Sequence, residues 1–584
     1  MKIRGDIVRT YRDVHSWVGI IAGLFLFVAF YAGAITMFEQ PLQEWASAAN
    51  PPPVSTPFER LPALMEKLFA AHPEAARNYS ITLPAATPGQ GQLSWSIAKP
   101  GAHGHGPATQ VSLNDQGDLV MVQDQPSGAA RFVDVLHQQV GLPFPHTLSM
   151  FLMGTVALLY AVALVSGVIA FLPGLAKNLF AVSIGRNSKK MWLDMHNLLG
   201  VFSLPFHLIM ALTSVVFAFH EPIFATQQWL LGGSSAHQHM QGGPRHGGGH
   251  GRGGVAHGGH GPAGMEHGGQ APVAVQPAGE HQGPSDHEPV TGHDGVALPQ
   301  REGSPDPAQG NDQKNAAAPR TPLPPQQIVA ALAAQAPGFV PDSLTYTQRP
   351  GAGVALNVAG HDPRYSMRGP VSGFAGVDPY TGKIISADYL PGHQGTGFSI
   401  ITTFFALHFG SFGGVAVRWG YVVLGLGGAF LFYTGNRLWI ASRQKQERKT
   451  GLVEETRGTR FLACLTSGCT LGCVAGISAI FCAVPFLPHG GTYPVVMGLY
   501  YAVFCLFVAA AFLLGSQRCD RILLVGAGVL TALVPVAASF GRQQGDWLSP
   551  VNQAVGLTSV LVGVFLLVCA FRKIRVSSQR RLSA

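Results

Sequence analysis

Long apolar runs alternate with two polar stretches along the chain. A helix crosses a bilayer with about 20 apolar residues. Eight runs meet that length: 16–38, 148–172, 196–219, 415–440, 461–485, 495–515, 521–540 and 551–571. Pro535 interrupts the seventh, which is the weakest of them. The first run follows basic residues and precedes Ala46-Ser47-Ala48, as a secretory leader would. It is longer than the roughly 7–15 residues of a leader core, so it is read as a retained anchor.

The polar stretches, 39–147 and 220–397, share one plan. Each holds a segment of helical period, 57–72 with Thr56 as the expected cap and 321–336. Strand-like runs follow each: YSITL, LSWSI and TQVSLNDQGDLVMV in the first, then SLTYTQ, GVALNVA and FAGVDPYTGKIISADY in the second. Two small α/β units are expected. Residues 232–320 are rich in Gly, Pro and His and cannot bury enough apolar surface to fold, so disorder is expected there.

The flanks of the apolar runs fix the topology. Lys and Arg gather before the first run, in 173–194, in 441–460, at Arg518 and Arg521, and after residue 571. With eight spans all five groups fall on one side, which the positive-inside bias makes cytoplasmic. Both termini are then cytoplasmic and both polar stretches periplasmic, in a bacterial inner membrane. The composition agrees: 12% charged residues and a mean hydropathy of +0.23, against about 25% charged in soluble domains. The net charge of +8 sits at span ends, so nucleic acid is not an expected partner and the lipid bilayer is. All seven cysteines lie from Cys464 onward without a CxxC, which argues against a zinc ribbon, a thioredoxin motif or a disulfide framework in the loops.

The fold expected is an α-helical polytopic membrane protein of about eight transmembrane helices, with two small periplasmic α/β units in an internally duplicated N-terminal part. The expected divisions are 1–40, the first helix; 41–135, the first unit; 136–220, the second and third helices; 221–320, the insert; 321–397, the second unit; 398–445, the fourth helix; and 446–584, a four-helix extension. The duplication is visible in histidines. HSWVG opens the first span at His15 and HNLLG opens the third at His196, while Leu-His precedes the second span at His137 and the fourth at His408. The last four spans lack the pattern.

Ionisable groups in spanning helices are costly and face a protein interior or a cofactor. Haem iron in an electron-transfer protein takes two axial ligands, and imidazole is a common one. The repeat pairs His15 with His196 at an inner level and His137 with His408 at an outer one, for two b-type haems with bis-histidine ligation. Gly19 and Gly200, four residues after His15 and His196, remove a side chain where a flat macrocycle would approach. His207 lies eleven residues beyond His196; on a straight helix that is about 20° in direction and about 16 Å along the axis. It is an alternative partner, and His146 is another near the outer level. A single membrane histidine more often makes a structural hydrogen bond than ligates metal, and His15 at a helix end also meets solvent. Duplication at matched depth is what favours ligation for the four. Arg12 and Arg418 are candidates for haem propionates, or else anchors at the membrane edge.

RDVHSWVGIIAGLFLFVAFYAGAI, LDMHNLLGVFSLPFHLIMALTS and ALHFGSFGG, with VDPYTGKII in an outer unit, resemble the PepSY-associated transmembrane family over roughly residues 1–445. The resemblance implies that the α/β units are PepSY-like. It also implies a di-haem protein similar to bacterial inner-membrane ferric-siderophore reductases, passing electrons outward to ferric iron in a periplasmic chelate. The chain has no soluble flavin or nicotinamide module, so its donor is a separate flavoprotein or a quinol. Two features depart from the family pattern: the last four spans and the histidine-rich insert. In the insert, His237, His239, His246, His250, His257 and His260 offer imidazoles for Fe, Cu, Ni or Zn, or belong to a linker with incidental metal affinity. Spans five to eight carry no mid-membrane carboxylate, which argues against proton pumping. Gly468, Gly472 and Gly476 favour close helix packing there, and Cys469 and Cys473 are read as packing residues. Against the reductase stand two other classes, a metal-binding or transport protein and a scaffold without redox activity.

Overall fold

A computed structural model of the chain describes residues 4–47, 54–96, 108–114, 116–174, 188–219, 321–349, 353–452, 454–515, 518–541 and 549–582. Its first apolar run forms α1 (Gly5–Thr36), which leads into a short α2 (Glu39–Ala46). The polar stretch that follows gives α3 (Leu61–Ala71) and strands β1 (Thr56–Pro57), β2 (Asn78–Thr82), β3 (Gln90–Trp95), β4 (Thr109–Leu113) and β5 (Leu119–Gln123). Helix α3 starts later than its periodicity suggests. Thr56 does not cap it but pairs with Gly91, and Pro62 sits in the first turn, where its missing N–H is harmless.

The chain returns through a short helix and a long one, α4 (Ala129–Gln139) and α5 (His146–Phe171). The third apolar run is broken. It forms α6 (Ser188–Phe202) and α7 (Leu204–Ala218), bent by 72° at Ser203. Pro205 has no N–H to continue the ladder, and the Ser203 hydroxyl takes the Leu199 carbonyl at 2.5 Å. The straight helix that would put His207 on the face of His196 is therefore absent.

The second half repeats the first: α8 (Pro325–Gln335), then β6 (Val340–Arg349), β7 (Gly353–His361), β8 (Gly373–Val377) and β9 (Ile384–Tyr389), then a short α9 (Thr396–Phe409) and a long α10 (Gly414–Lys449). The two halves share one antiparallel sheet in the order β5-β4-β3-β2-β6-β7-β8-β9, with β1 on β3. Their seam is β2 against β6, Tyr79 opposite Tyr346 and Ile81 opposite Leu344. The Tyr79 and Tyr346 rings stack across it at 4.7 Å, and Ser80 hydrogen-bonds Thr345 at 3.0 Å. Leu61, Leu64 and Leu68 of α3 and Ile328 and Leu332 of α8 bury their apolar stripes in one cluster with Ile81, Leu93, Leu344 and Val358. Burial of each such side chain is worth about 1.5–3 kcal/mol. The core is thus continuous across the seam.

Four further helices follow: α11 (Arg457–Ala483), α12 (Tyr493–Leu514), α13 (Cys519–Gly541, with Pro535 inside) and α14 (Pro550–Leu582). Gly468, Gly472 and Gly476 lie against α12. A Cβ would come within 2.9 Å of Val508 at the first and 2.7 Å of Tyr500 at the last. Among the described residues seven helices are long and apolar enough to cross a membrane, or eight if the bent α6–α7 pair counts as one span. Helix α1 packs between α5 and α10, and residues 4–219 and 322–582 lie in one compact unit. The protein is a multi-pass membrane protein.

The shared core predicts that Leu344→Ala in the full chain is destabilising by about 2–5 kcal/mol. Thermal unfolding of purified protein measures this, and an unchanged midpoint would contradict a single core across the seam.

Candidate functional site

The duplicated histidines meet in pairs. The rings of His15 and His196 have centroids 5.9 Å apart, and those of His137 and His408 are 6.2 Å apart. On α1, His15 and the Ala29 carbonyl that holds His137 are fourteen residues apart, a rise of about 21 Å. The pairs therefore occupy two levels. His137 and His408 lie toward the sheet, near the ends of the short helices α4 and α9. Both helices stop in the same way, with a left-handed residue, Val140 (φ 56°) or Gly410 (φ 62°).

Each imidazole is held from behind by its own half of the molecule. His15 Nδ1 donates to the Ala163 carbonyl of α5 at 2.8 Å, and His196 Nδ1 donates to the Leu431 carbonyl of α10 at 3.2 Å. His137 Nδ1 donates to the Ala29 carbonyl of α1 at 2.8 Å. His408 Nδ1 lies 2.8 Å from Thr213 Oγ1 of α7, whose own hydrogen goes to Ile209 O at 2.7 Å. That hydroxyl therefore accepts. A carbonyl can only accept, so the neutral rings of His15, His196 and His137 carry their proton on Nδ1 and their lone pair on Nε2, and His408 does the same while the Thr213 hydroxyl bonds Ile209. Bonding of the other ring nitrogen is how proteins orient a metal-ligating histidine.

Glycines make the space. A Cβ at Gly167 would lie 2.8 Å from His15 Cε1, one at Gly435 3.3 Å from His196 Cε1, and one at Gly33 2.6 Å from His137 Nδ1. Each glycine stands four residues after the carbonyl that its histidine bonds. At the fourth position Phe217 replaces glycine, and its ring packs on His408 at 4.8 Å. Gly19 has nothing within 4 Å of a Cβ, and Gly200 has only Leu431, at 3.8 Å. The glycines that seat the rings are thus not the ones that the His-x-x-x-Gly spacing suggests. For the two at the His15–His196 level the trace in the sequence is a repeated hydroxyl-glycine dipeptide, Ser166-Gly167 and Thr434-Gly435, whereas Gly33 follows Ala32. Thr434 Oγ1 also lies 3.2 Å from His196 Nδ1.

The donor set suits a metal that takes one imidazole from each side. A metal about 2 Å from each Nε2 would set the ring centres about 6 Å apart, close to both observed spacings. Each pair offers two imidazoles, which suits a group that brings its own equatorial ligands better than a bare ion. Among the described residues no group of three His, Cys, Asp or Glu side chains is placed to hold a bare metal ion.

His207 joins neither pair. It is fully buried, with Nδ1 2.5 Å from the Tyr160 hydroxyl and Nε2 without a partner. Phe30, Phe206 and Phe432 surround its ring at 5.5–6.1 Å. Its neighbours on α10 are Gly428, between Gly425 at the cavity and Leu431 at His196, and Phe432, next to Leu431. His207 and the three phenylalanines thus lie between the two levels. His146, at the start of α5, is bonded to Gln139 at 2.8 Å. His237, His239, His246, His250, His257 and His260 lie outside the described residues.

A cavity of about 1890 Å³ opens at the sheet-side pair. His137 and His408 line it with Arg131, Arg368, Arg418 and Tyr493. It exceeds the roughly 300–1,000 Å³ of an ordinary ligand pocket. Arg418 donates to the Pro370 carbonyl at 3.2 Å. Arg368, which no motif singles out, lies over the Phe405 ring at 3.5 Å. Burial pushes its pKa down, against the partial relief given by Tyr389. In the same wall burial pushes the Asp124 carboxyl up. Arg12 is exposed near the other pair.

Fold and site together define a multi-pass membrane protein whose duplicated helical core carries two histidine pairs at two depths. The chain belongs to the family of the PepSY-associated TM region, which matches residues 12–442. All four paired histidines fall inside that match, and α11–α14 lie beyond it. No curated protein matches the chain.

Tyr160→Phe would leave His207 Nδ1 unsatisfied in the interior and should be destabilising by about 1–3 kcal/mol. Thermal unfolding tests this, and unaltered stability would mean that the bond contributes nothing.

Proposed function

We propose that this protein is a di-haem oxidoreductase that carries electrons across the bacterial inner membrane to a metal complex in the periplasm. The observation that supports it is the pairing of four duplicated imidazoles at two levels, every ring oriented through Nδ1. Bound haem supplies one-electron reduction and oxidation. His15 and His196 would hold one haem near the cytoplasmic face, and His137 and His408 a second near the periplasm. Ala163, Leu431, Ala29 and Thr213 fix the four rings, so ligation requires little rearrangement. The positive-inside bias of the loops supports this orientation, with both termini cytoplasmic and the sheet, taken as a pair of PepSY-like units, outside.

The acceptor we infer is ferric iron in a siderophore-type chelate. The cavity beside His137 and His408 supports this, because it is wide and carries guanidinium groups that suit an anionic oxygen-rich ligand. The donor is a separate flavoprotein or a membrane quinol. The histidine-rich insert would bind metal on the periplasmic side.

Reduced-minus-oxidised spectra test the proposal. Wild type should bind two haems per chain, and His196→Ala and His408→Ala should each lose about half of the signal. Gly167→Val, which crowds His15, should reduce the inner haem alone. Protein expressed with ample haem and lacking a Soret band would overturn the reading.

A further inference from the structure

Helices α11–α14 lie outside the family match, yet they pair one carboxylate with an arginine two residues beyond the α10 stretch that touches His196. Thr434 and Gly435 of α10 touch the His196 ring. Two residues on, Arg437 turns the other way and its Nη2 meets Asp520 Oδ2 of α13 at 2.9 Å. The side chains are 18% and 9% exposed. Asp520 also accepts from the Ser467 hydroxyl of α11, and it stands in the first turn of α13, where the helix dipole favours a carboxylate. The guanidinium also lies over the ring of Trp192, 5.9 Å away and one helical turn before His196. Arg437 thus stands two residues beyond Gly435, which lies against His196, and against Trp192, one turn before His196, and its carboxylate partner comes from the extension.

We infer that the extension sets the reduction potential of the inner centre, with Asp520 as a positioning residue that neutralises Arg437. This rests on the di-haem reading above. A haem gains one negative charge when reduced, and a nearby uncompensated cation favours that state strongly where the dielectric is low. Paired with Asp520, Arg437 contributes little net field. Asp520 therefore keeps the inner centre a better reductant, so that electrons pass on to the outer pair. A clamp between helices alone would need no charge at this depth, since well-packed apolar residues replace a buried ion pair without loss.

The experiment uses the full chain with His408→Ala, so that only the inner pair is complete, and follows the haem spectrum through a potentiometric titration. Asp520→Asn should raise the midpoint potential. Asp520→Ser should do the same and leaves room for water at Arg437 if the Asn variant does not accumulate. Arg437→Gln with Asp520→Asn removes both charges and should return the midpoint towards that of the parent. Asp520→Asn or Asp520→Ser protein that binds haem and titrates with the parent would overturn the inference. A parent that binds no haem would instead overturn the di-haem reading.

Discussion

The hydrogen bond from a histidine Nδ1 to a backbone or hydroxyl oxygen of its own half is the constraint on which the rest depends. In a membrane interior an imidazole must bond or ligate, and these four rings bond on one side. That choice fixes the tautomer, the ring direction and the distance to the partner. It also requires small residues behind the rings, which explains Gly33, Gly167 and Gly435. The inner histidines sit on the leading helices and bond the closing ones. The outer histidines sit on the short helices and bond the leading ones. Two copies of this scheme, face to face, generate both pairs.

The copies are not equivalent. Glycine stands behind three of the rings, and Phe217 packs on the fourth. The acceptor for His408 is a threonine hydroxyl, where its counterpart His137 bonds a carbonyl. The outer pair, which opens on the cavity, is therefore the asymmetric one.

Much of this was legible in the sequence. Apolar run lengths gave the spans, and the duplicated His15/His196 and His137/His408 spacing named the residues that the fold brings together. What was not legible involved contacts at long range or local breaks. A straight third span placed His207 on the face of His196; Pro205 and Ser203 bend it, and the ring pairs with Tyr160 instead. The two outer units read as separate because strand pairing across residues 78–82 and 343–347 has no signature in either half alone. Asp520 read as a residue at a span edge, since nothing in its neighbourhood announces Arg437, more than eighty positions earlier.

The seam between β2 and β6 has a consequence for assembly. Strand pairing, a shared apolar core and the packing of α1 on α10 hold the halves to each other on both sides of the bundle. Covalent continuity contributes to none of these contacts. Two polypeptides, one ending after α5 and one starting before α6, would present each other with complementary edges and one histidine of each pair. The architecture is in that sense a heterodimer written as one chain.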